Sequence, residues 1–316
     1  MAEKIIIDTD PGIDDAMAIF FAFQSPDLDV LGLTSVFGNV PVKMAARNAV
    51  TLCDIAGKDI PVCEGMGLPW VGPESGYAHF VHGDDGFGNI HPKLSDKPLD
   101  PRSSAQFIID TAKQYPGEVT LVAIGPLTNL ALVLKMEPEI TKLLKGVVIM
   151  GGAAQVPGNV TPVAEANIWN DPHAADIVFA ADWPLTMIGL DVTYAVSYNQ
   201  AYLAKLGEVN PTLGGFVHQA AQFYAKFYSE VFQSSDEEVC YFHDAMALAY
   251  VIDPTLFEMK QGRFRVATDA LCYGQTTFAP LDKMMSPEWE SAPVMQAALK
   301  VDEERIKKLF MDTYAL

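Results

Sequence analysis

Short apolar runs separated by longer segments of mixed character set the rhythm of this chain. Ile5 to Ile7, Val30 to Val36, Val119 to Ile124, Val147 to Met150 and Leu185 to Leu190 are rich in Val, Ile and Leu, with helix-like stretches between them. Apolar residues at successive positions suit strands covered on both faces, the condition of a parallel strand between two helical layers. The pattern predicts an α/β fold, an open and mainly parallel sheet flanked by helices, with residues 1–316 forming a single domain. No internal repeat or low-complexity linker interrupts it.

Three other segments stand out. From Gly214 to Phe232 the aromatic residues Phe216, Phe223, Tyr224, Phe227, Tyr228 and Phe232 fall at largely helical spacing, which predicts a helix with a heavy aromatic face. The C-terminal VDEERIKKLFMDTYAL predicts a surface helix packing through Ile306, Leu309 and Phe310. Between Gly65 and Arg102, Gly, Pro, His and Asp dominate without periodicity, so a long excursion over the sheet is expected, of the kind that forms lids or binding loops.

The residues just after each apolar run matter more than the run itself. Asp8-Thr9-Asp10-Pro11-Gly12, Phe37-Gly38-Asn39, Gly125-Pro126-Leu127-Thr128-Asn129, Gly151-Gly152 and Asp191 each stand at the carboxyl end of a predicted strand. Ligands of parallel sheets bind there, so these distant segments are expected to converge on one pocket. Asp14 or Thr128 is expected to cap the helix after its turn.

Composition narrows the choice of ligand. Acidic residues number 40 against 21 basic ones, a formal charge of −19, which opposes binding to nucleic acid. Cys53, Cys63, Cys240 and Cys272 are scattered, with neither CxxC nor finger-like His spacing, and read as buried small hydrophobes. No apolar stretch reaches membrane-spanning length and MAEKIIIDTD lacks a signal-peptide pattern, so a cytoplasmic protein with no membrane partner is expected.

Asp8, Asp10, Asp14 and Asp15 place four carboxylates across one strand end, a Pro-Gly turn and the start of a helix. Such charges repel unless a cation or hydrogen-bond donors compensate them. Oxygen ligands without Cys or clustered His point to Ca²⁺ or Mg²⁺ rather than zinc. A cation there would lower the pKa of a water while a neighbouring carboxylate accepts its proton, which implies hydrolysis of an unspecified bond. Asp8-Thr9-Asp10 also allows a phosphatase of the haloacid dehalogenase type, although Pro11-Gly12 replaces the Gly-Thr expected after its second Asp. A non-catalytic, metal-stabilised binding protein is the third reading, its ligand a nucleoside or sugar by the resemblance that follows.

DTDPGIDDAMA resembles the N-terminal signature of the inosine-uridine-preferring nucleoside hydrolases. Similarity recurs in order at Phe37-Gly38-Asn39, His82-Gly83, Gly125 to Asn129, Met150-Gly151-Gly152, GNVTPVAEANIW and His243-Asp244-Ala245, with a weaker echo at Val301-Asp302. The resemblance implies an enzyme that splits the N-glycosidic bond of ribonucleosides into ribose and free base, in nucleoside salvage or catabolism. It implies Ca²⁺ held by Asp10, Asp15, the Ile124 carbonyl and Asp244, with Ca²⁺-bound water as the nucleophile and Asp10 as its base. Asp14, Asn39, Asn159, Glu165, Asn167 and Asp244 match positions that hold ribose hydroxyls, and Met150 would lie beside the sugar.

His243 is the candidate acid for the departing base, because it adjoins Asp244 and histidine titrates near neutral pH. His82, Tyr224 and Tyr228 are candidate base contacts. The i, i+4 spacing of the two tyrosines sets them on one helix face. Trp169 is a candidate for stacking or for the core, and Ser234 to Phe242, where the family usually has a Gly-containing linker, is expected in the base-binding wall. The resemblance further suggests a homodimer or homotetramer.

Overall fold

Ile5, Ile6 and Ile7 show why the first apolar run becomes a central strand. All three are fully buried, Ile5 and Ile7 in one hydrophobic cluster and Ile6 in another, so the strand is covered on both faces. The same alternation recurs in the fourth run, where Val147 and Ile149 join one cluster and Val148 and Met150 the other. Each such side chain removed from water contributes about 1.5–3 kcal/mol.

The computed structural model describes residues 2–73, 76–232, 238–282 and 285–316. Its strands are β1 (Glu3–Thr9), β2 (Leu28–Ser35), β3 (Val62–Cys63), β4 (Val119–Ala123), β5 (Gly146–Met150), β6 (Leu185–Ile188), β7 (Tyr198–Asn199), β8 (Val239–Cys240), β9 (Phe257–Val266), β10 (Thr276–Pro280) and β11 (Met295–Val301). Nine of them form one sheet in the order β10-β9-β11-β6-β5-β4-β1-β2-β3. Pairing is parallel from β3 through to β11 and antiparallel at β11-β9 and β9-β10. β7 and β8 form a separate antiparallel pair.

The strand order reverses at β1, with β2 on one side and β4 on the other. A crevice therefore opens beyond the carboxyl ends of β1 and β4, where an open α/β sheet binds its ligand. Helix α1 (Ile13–Gln24) leaves this point with Gly12 as its N-cap, and α2 (Val42–Ile55) comes after β2.

The Gly65-to-Arg102 excursion carries the short helix α3 (His79–His82) and returns beside β3 through a Cys63–Asp100 bridge. The aromatic helix runs from Leu213 to Phe232 and buries Phe216, Tyr224 and Tyr228. The last helix, Glu303–Tyr314, buries Ile306 and Phe310, with Leu309 partly buried against the same core. No helix among the described residues is long and apolar enough to cross a membrane.

Two expectations need correction. Neither Asp14 nor Thr128 is a helix cap: Gly12 and Leu127 hold those positions, and Asp15 accepts the Gly12 N–H at 2.9 Å. Thr128 instead donates its hydroxyl to Asp171. Cys53, Cys63 and Cys240 are buried as expected, but Cys272 is exposed because it lies in a short 3₁₀ turn between β9 and β10.

Candidate active site

A cavity of about 360 Å³ lies at the crevice. His243, Ile124, Asp244, Asp14, Asn39, Met150, Asn159, Glu165, Asn167, His82, Tyr224 and Tyr228 line it, and of the residues given a role by the resemblance Asp10 and Asp15 do not. Those two are fully buried and hydrogen-bonded to a lining residue: the Asn39 N–H donates to Asp10 Oδ2 at 2.6 Å and the Asn39 amide to Asp15 Oδ2 at 3.0 Å.

The carboxylates of Asp14, Asp15 and Asp244 each bring an oxygen within 4.8 Å of the others. Burial holds Asp10 and Asp244 well above the ordinary carboxylate range, with further elevation from Asp15 for Asp10 and from Asp14 for Asp244. The same two causes, burial and then Asp15, raise Asp14 to about 8. Asp15 is raised by burial, against the pull of hydrogen bonds from Thr9, Gly12 and Asp10. Asp10 Oδ1 and Asp14 Oδ1 are buried without a hydrogen-bond partner.

Asp8 does not belong to this cluster. Its carboxyl accepts from Thr34 and from Asn129 at 2.8 Å, is not among the cavity-lining residues, and is raised to about 7 by burial. Asp244, brought by the start of the Ala245–Ile252 helix, completes the group instead. With its carboxyl held by Thr34 and Asn129, neither of which lines the cavity, Asp8 is not placed as the nucleophile that the phosphatase reading requires.

Amides and carbonyls form the adjoining wall. Asn167 donates to the Ile124 carbonyl at 3.0 Å and to the Met150 carbonyl at 3.1 Å, joining the ends of β4 and β5. Glu165 caps the Ala166–Asn170 helix, accepting from the N–H groups of Asn167, Ile168 and Gly152. A carboxylate has about four lone-pair sites, so Glu165 keeps acceptor capacity for a ligand. Asn159 accepts the Ala166 N–H, which leaves its amide hydrogens for other partners.

Opposite lies an ordered chain of hydroxyls. The Tyr224 hydroxyl donates to Asp14 Oδ2 at 3.1 Å, so the 3.2 Å contact between Tyr224 and Tyr228 must be donated by Tyr228. The 2.7 Å contact between Tyr228 and His243 is then donated by Nε2–H, and Nδ1 accepts from Thr193 Oγ1 at 2.7 Å. This is the neutral Nε2–H tautomer. Titration near neutrality, expected of His243 from its residue type, gives way to burial, which together with His82 lowers it to about 3. Burial likewise lowers His82 to about 3, and its Nδ1 accepts the Ile13 N–H at 3.1 Å.

Tyr194, Phe80, Val81, Phe227 and Val231 also line the cavity. Nothing in their local sequence marks Tyr194 or Val231 as site residues, and Phe227 reads only as part of the aromatic helix face. Residues 234–237 of the segment expected in the base wall lie outside the described residues. Its described part, 238–242, does not line the cavity; Tyr241 stacks on the His243 ring, with centroids 5.7 Å apart, and Phe242 stacks on Tyr198. Trp169 does not line the cavity either and lies against Gly274.

A doubly covered parallel sheet with buried carboxylates and amides at its switch point defines a class of site suited to a polyhydroxylated ligand and a hard cation. Comparison with known proteins gives the family. The model of the inosine-uridine preferring nucleoside hydrolases matches residues 5–308, and this chain belongs to that family. Uridine nucleosidase 1 of Arabidopsis thaliana is 42% identical over 275 residues, covering 87% of this chain and 81% of its own. A solved plant nucleoside hydrolase superposes with a TM-score of 0.96 at 40% identity, covering 100% of this chain and 99% of that one. A purine-preferring ribonucleoside hydrolase from Gardnerella vaginalis gives 0.91 at 33% identity, covering 99% and 98%. The chain is thus a hydrolase of the nucleoside hydrolase class, and its small-molecule substrates are nucleosides.

Proposed function

We propose that this chain hydrolyses the N-glycosidic bond of ribonucleosides, releasing ribose and free base, with Ca²⁺ held by Asp10, Asp15, Asp244 and the Ile124 carbonyl. The observation that carries the reading is the carboxylate cluster below an amide-lined cavity, with Asp10 Oδ1 and Asp14 Oδ1 buried and unpartnered. All the candidate ligand atoms are oxygens, which fits a hard divalent cation, and like charges this close are not compatible with full ionisation in the absence of one. Bound there, Ca²⁺ would neutralise the cluster, orient the ribose hydroxyls and lower the pKa of a neighbouring water.

The chain's own residues do the rest. Asp10 takes a proton from the water that attacks C1′ as the bond from C1′ to the base nitrogen breaks. Positive charge develops on the ribose, and the oxygens of Asp14, Glu165, Asn159 and Asn39 stabilise it while holding the hydroxyls. The bonding electrons leave with the base nitrogen. That nitrogen takes a proton from His243, which acts as the acid in its imidazolium form and returns to the neutral ring, while the proton that Asp10 took from the water passes back to solvent. His82, Tyr224 and Tyr228 contact the base, and Met150 lies against the sugar.

Asp10→Asn tests the assignment of the base. Turnover should fall by at least about a hundredfold while the dissociation constant for nucleoside, measured by calorimetry, changes little. Undiminished turnover would overturn it. On the strength of the resemblance we also propose a homodimer or homotetramer, an assembly that light scattering reads directly, and from the sequence pattern a cytoplasmic location.

A further inference from the structure

His82 and the carboxylate turn come from segments 69 residues apart, and the chain holds them in register at two points. At the first, the Ile13 N–H donates to His82 Nδ1, and Gly12 leaves room for the ring: a Cβ there would lie 2.6 Å from Nδ1. At the second, Asn48 on α2, only 1% exposed, donates its side-chain amide to two backbone carbonyls, Pro11 at 3.1 Å and Asp85 at 3.0 Å. Gly86 permits that approach. A Cβ on it would meet Asn48 Nδ2 at 2.8 Å and the Pro11 carbonyl at 3.0 Å, and its φ of 81° suits glycine.

The loop that Asn48 grips is tied to His82. The Asp85 carboxylate accepts the backbone N–H groups of Phe87, Asn89 and His91 at 2.7–2.9 Å, folding residues 85–91 around itself. The Gly88 N–H closes the loop onto the His82 carbonyl at 2.8 Å. Whatever fixes the Asp85 carbonyl therefore fixes where His82 stands. Among side chains this short, only asparagine offers two donors from one nitrogen, and here both face carbonyls.

We infer that Asn48 is a positioning residue, which sets the spacing between the Pro11-Gly12 turn and the His82 loop and so presents His82 to the substrate as an Nε2–H donor. With Nδ1 occupied by the Ile13 N–H, the single proton of the neutral ring sits on Nε2. Without Asn48, the buried Pro11 carbonyl and the part-buried Asp85 carbonyl lose this donor, and of the side-chain hydrogen bonds described between the two segments the one from Ile13 to His82 remains. Beyond the His82 loop, no described hydrogen bond links the Asn48 side chain to the rest of the excursion. Its neighbours on α2 serve that segment: Arg47 donates to the carbonyls of Ser95 and Lys97, and Thr51 accepts the Ser95 N–H.

The kinetic part of this inference rests on the hydrolase reading, so the test has two readouts. Histidine-selective ¹⁵N NMR should report one His82 tautomer, Nε2–H, in the unmodified protein and in Thr51→Val, and a mixture of tautomers in Asn48→Ala. Asn48→Ala should lower kcat/KM for a ribonucleoside about tenfold, the lower end of what loss of a supporting residue costs. It should lower it no further in a His82→Ala background. If Asn48→Ala does not fold, Asn48→Ser, which keeps one donor, should give the same effects at smaller size. An unmoved His82 tautomer, or a full additional loss in the His82→Ala background, would overturn the inference. An unmodified protein inactive on every ribonucleoside would overturn the hydrolase reading instead, and the tautomer measurement would still decide the role of Asn48.

Discussion

Asn129 offers the sharpest test of how the site is built. Fully buried, it donates to Asp8 Oδ1 at 2.8 Å and to the Ser35 carbonyl at 2.9 Å, and its own oxygen accepts the Met66 N–H at 2.9 Å. One side chain thus joins the end of β1, the end of β2 and the start of the long excursion. Asn129→Ala removes three hydrogen bonds: Asp8 Oδ1 keeps the Thr34 hydroxyl and the Ser35 carbonyl keeps the Ser104 hydroxyl, at about 0.5–1.5 kcal/mol for each bond lost, while the Met66 N–H loses its acceptor, at about 1–3 kcal/mol. Allowing for partial relaxation, the loss should be about 2–4 kcal/mol, which in guanidinium unfolding lowers the midpoint with the slope unchanged. Asn129→Asp keeps the acceptor for Met66 but sets a second carboxyl against Asp8. Its folded-state pKa would lie above its unfolded value, so the variant should lose stability as pH rises. A loss below about 1 kcal/mol for Asn129→Ala would refute the reasoning, since losing three hydrogen bonds, one of which leaves a donor unpaired, does not cost so little.

Two further predictions concern the carboxylates. In the absence of a cation, Asp14 is raised from 3.8 to about 8, so its contribution to stability is present below the lower value and lost as pH rises through the upper one. Ca²⁺ needs its ligands Asp10, Asp15 and Asp244 deprotonated, and burial raises all three as it raises Asp14, so the stabilisation it produces should grow as pH rises, reaching about 2.7 kcal/mol at a hundredfold excess over Kd; calorimetry showing a stabilisation that shrinks with pH would contradict this. Gly38→Ala would press a methyl group onto the Asp10 carboxylate, so it should lower kcat far more than it lowers the melting temperature, and comparison of the two measurements checks it.

Strands with apolar residues at successive positions were the legible part of the fold, because burial on both faces leaves an unmistakable pattern in Ile5 to Ile7 and Val119 to Ile124. The antiparallel edge of β9, β10 and β11 was not. Phe257–Val266 mixes buried and exposed positions without strict alternation, as in EMKQG, so its strand character depends on neighbours that the local sequence does not name. In the site, DTDPGIDDAMA and the strand-end motifs carry chemistry that sequence alone exposes. Two roles depended on tertiary structure. Asp8 sits two residues from Asp10 yet serves the scaffold, because it faces Thr34 and Asn129 rather than the cavity. Asn48 lies in an ordinary helical stretch, and only the approach of Pro11 and Asp85 gives its amide a task.

The most direct test of the central claim is release of free ribose from uridine and from inosine by the purified protein, once with Ca²⁺ and once with a chelator. Stoichiometric ribose and base should appear with Ca²⁺ from at least one of them, and the chelator should abolish a release that returns when Ca²⁺ is restored. Failure to release ribose from either in the presence of Ca²⁺, or equal release with the chelator, would contradict the claim.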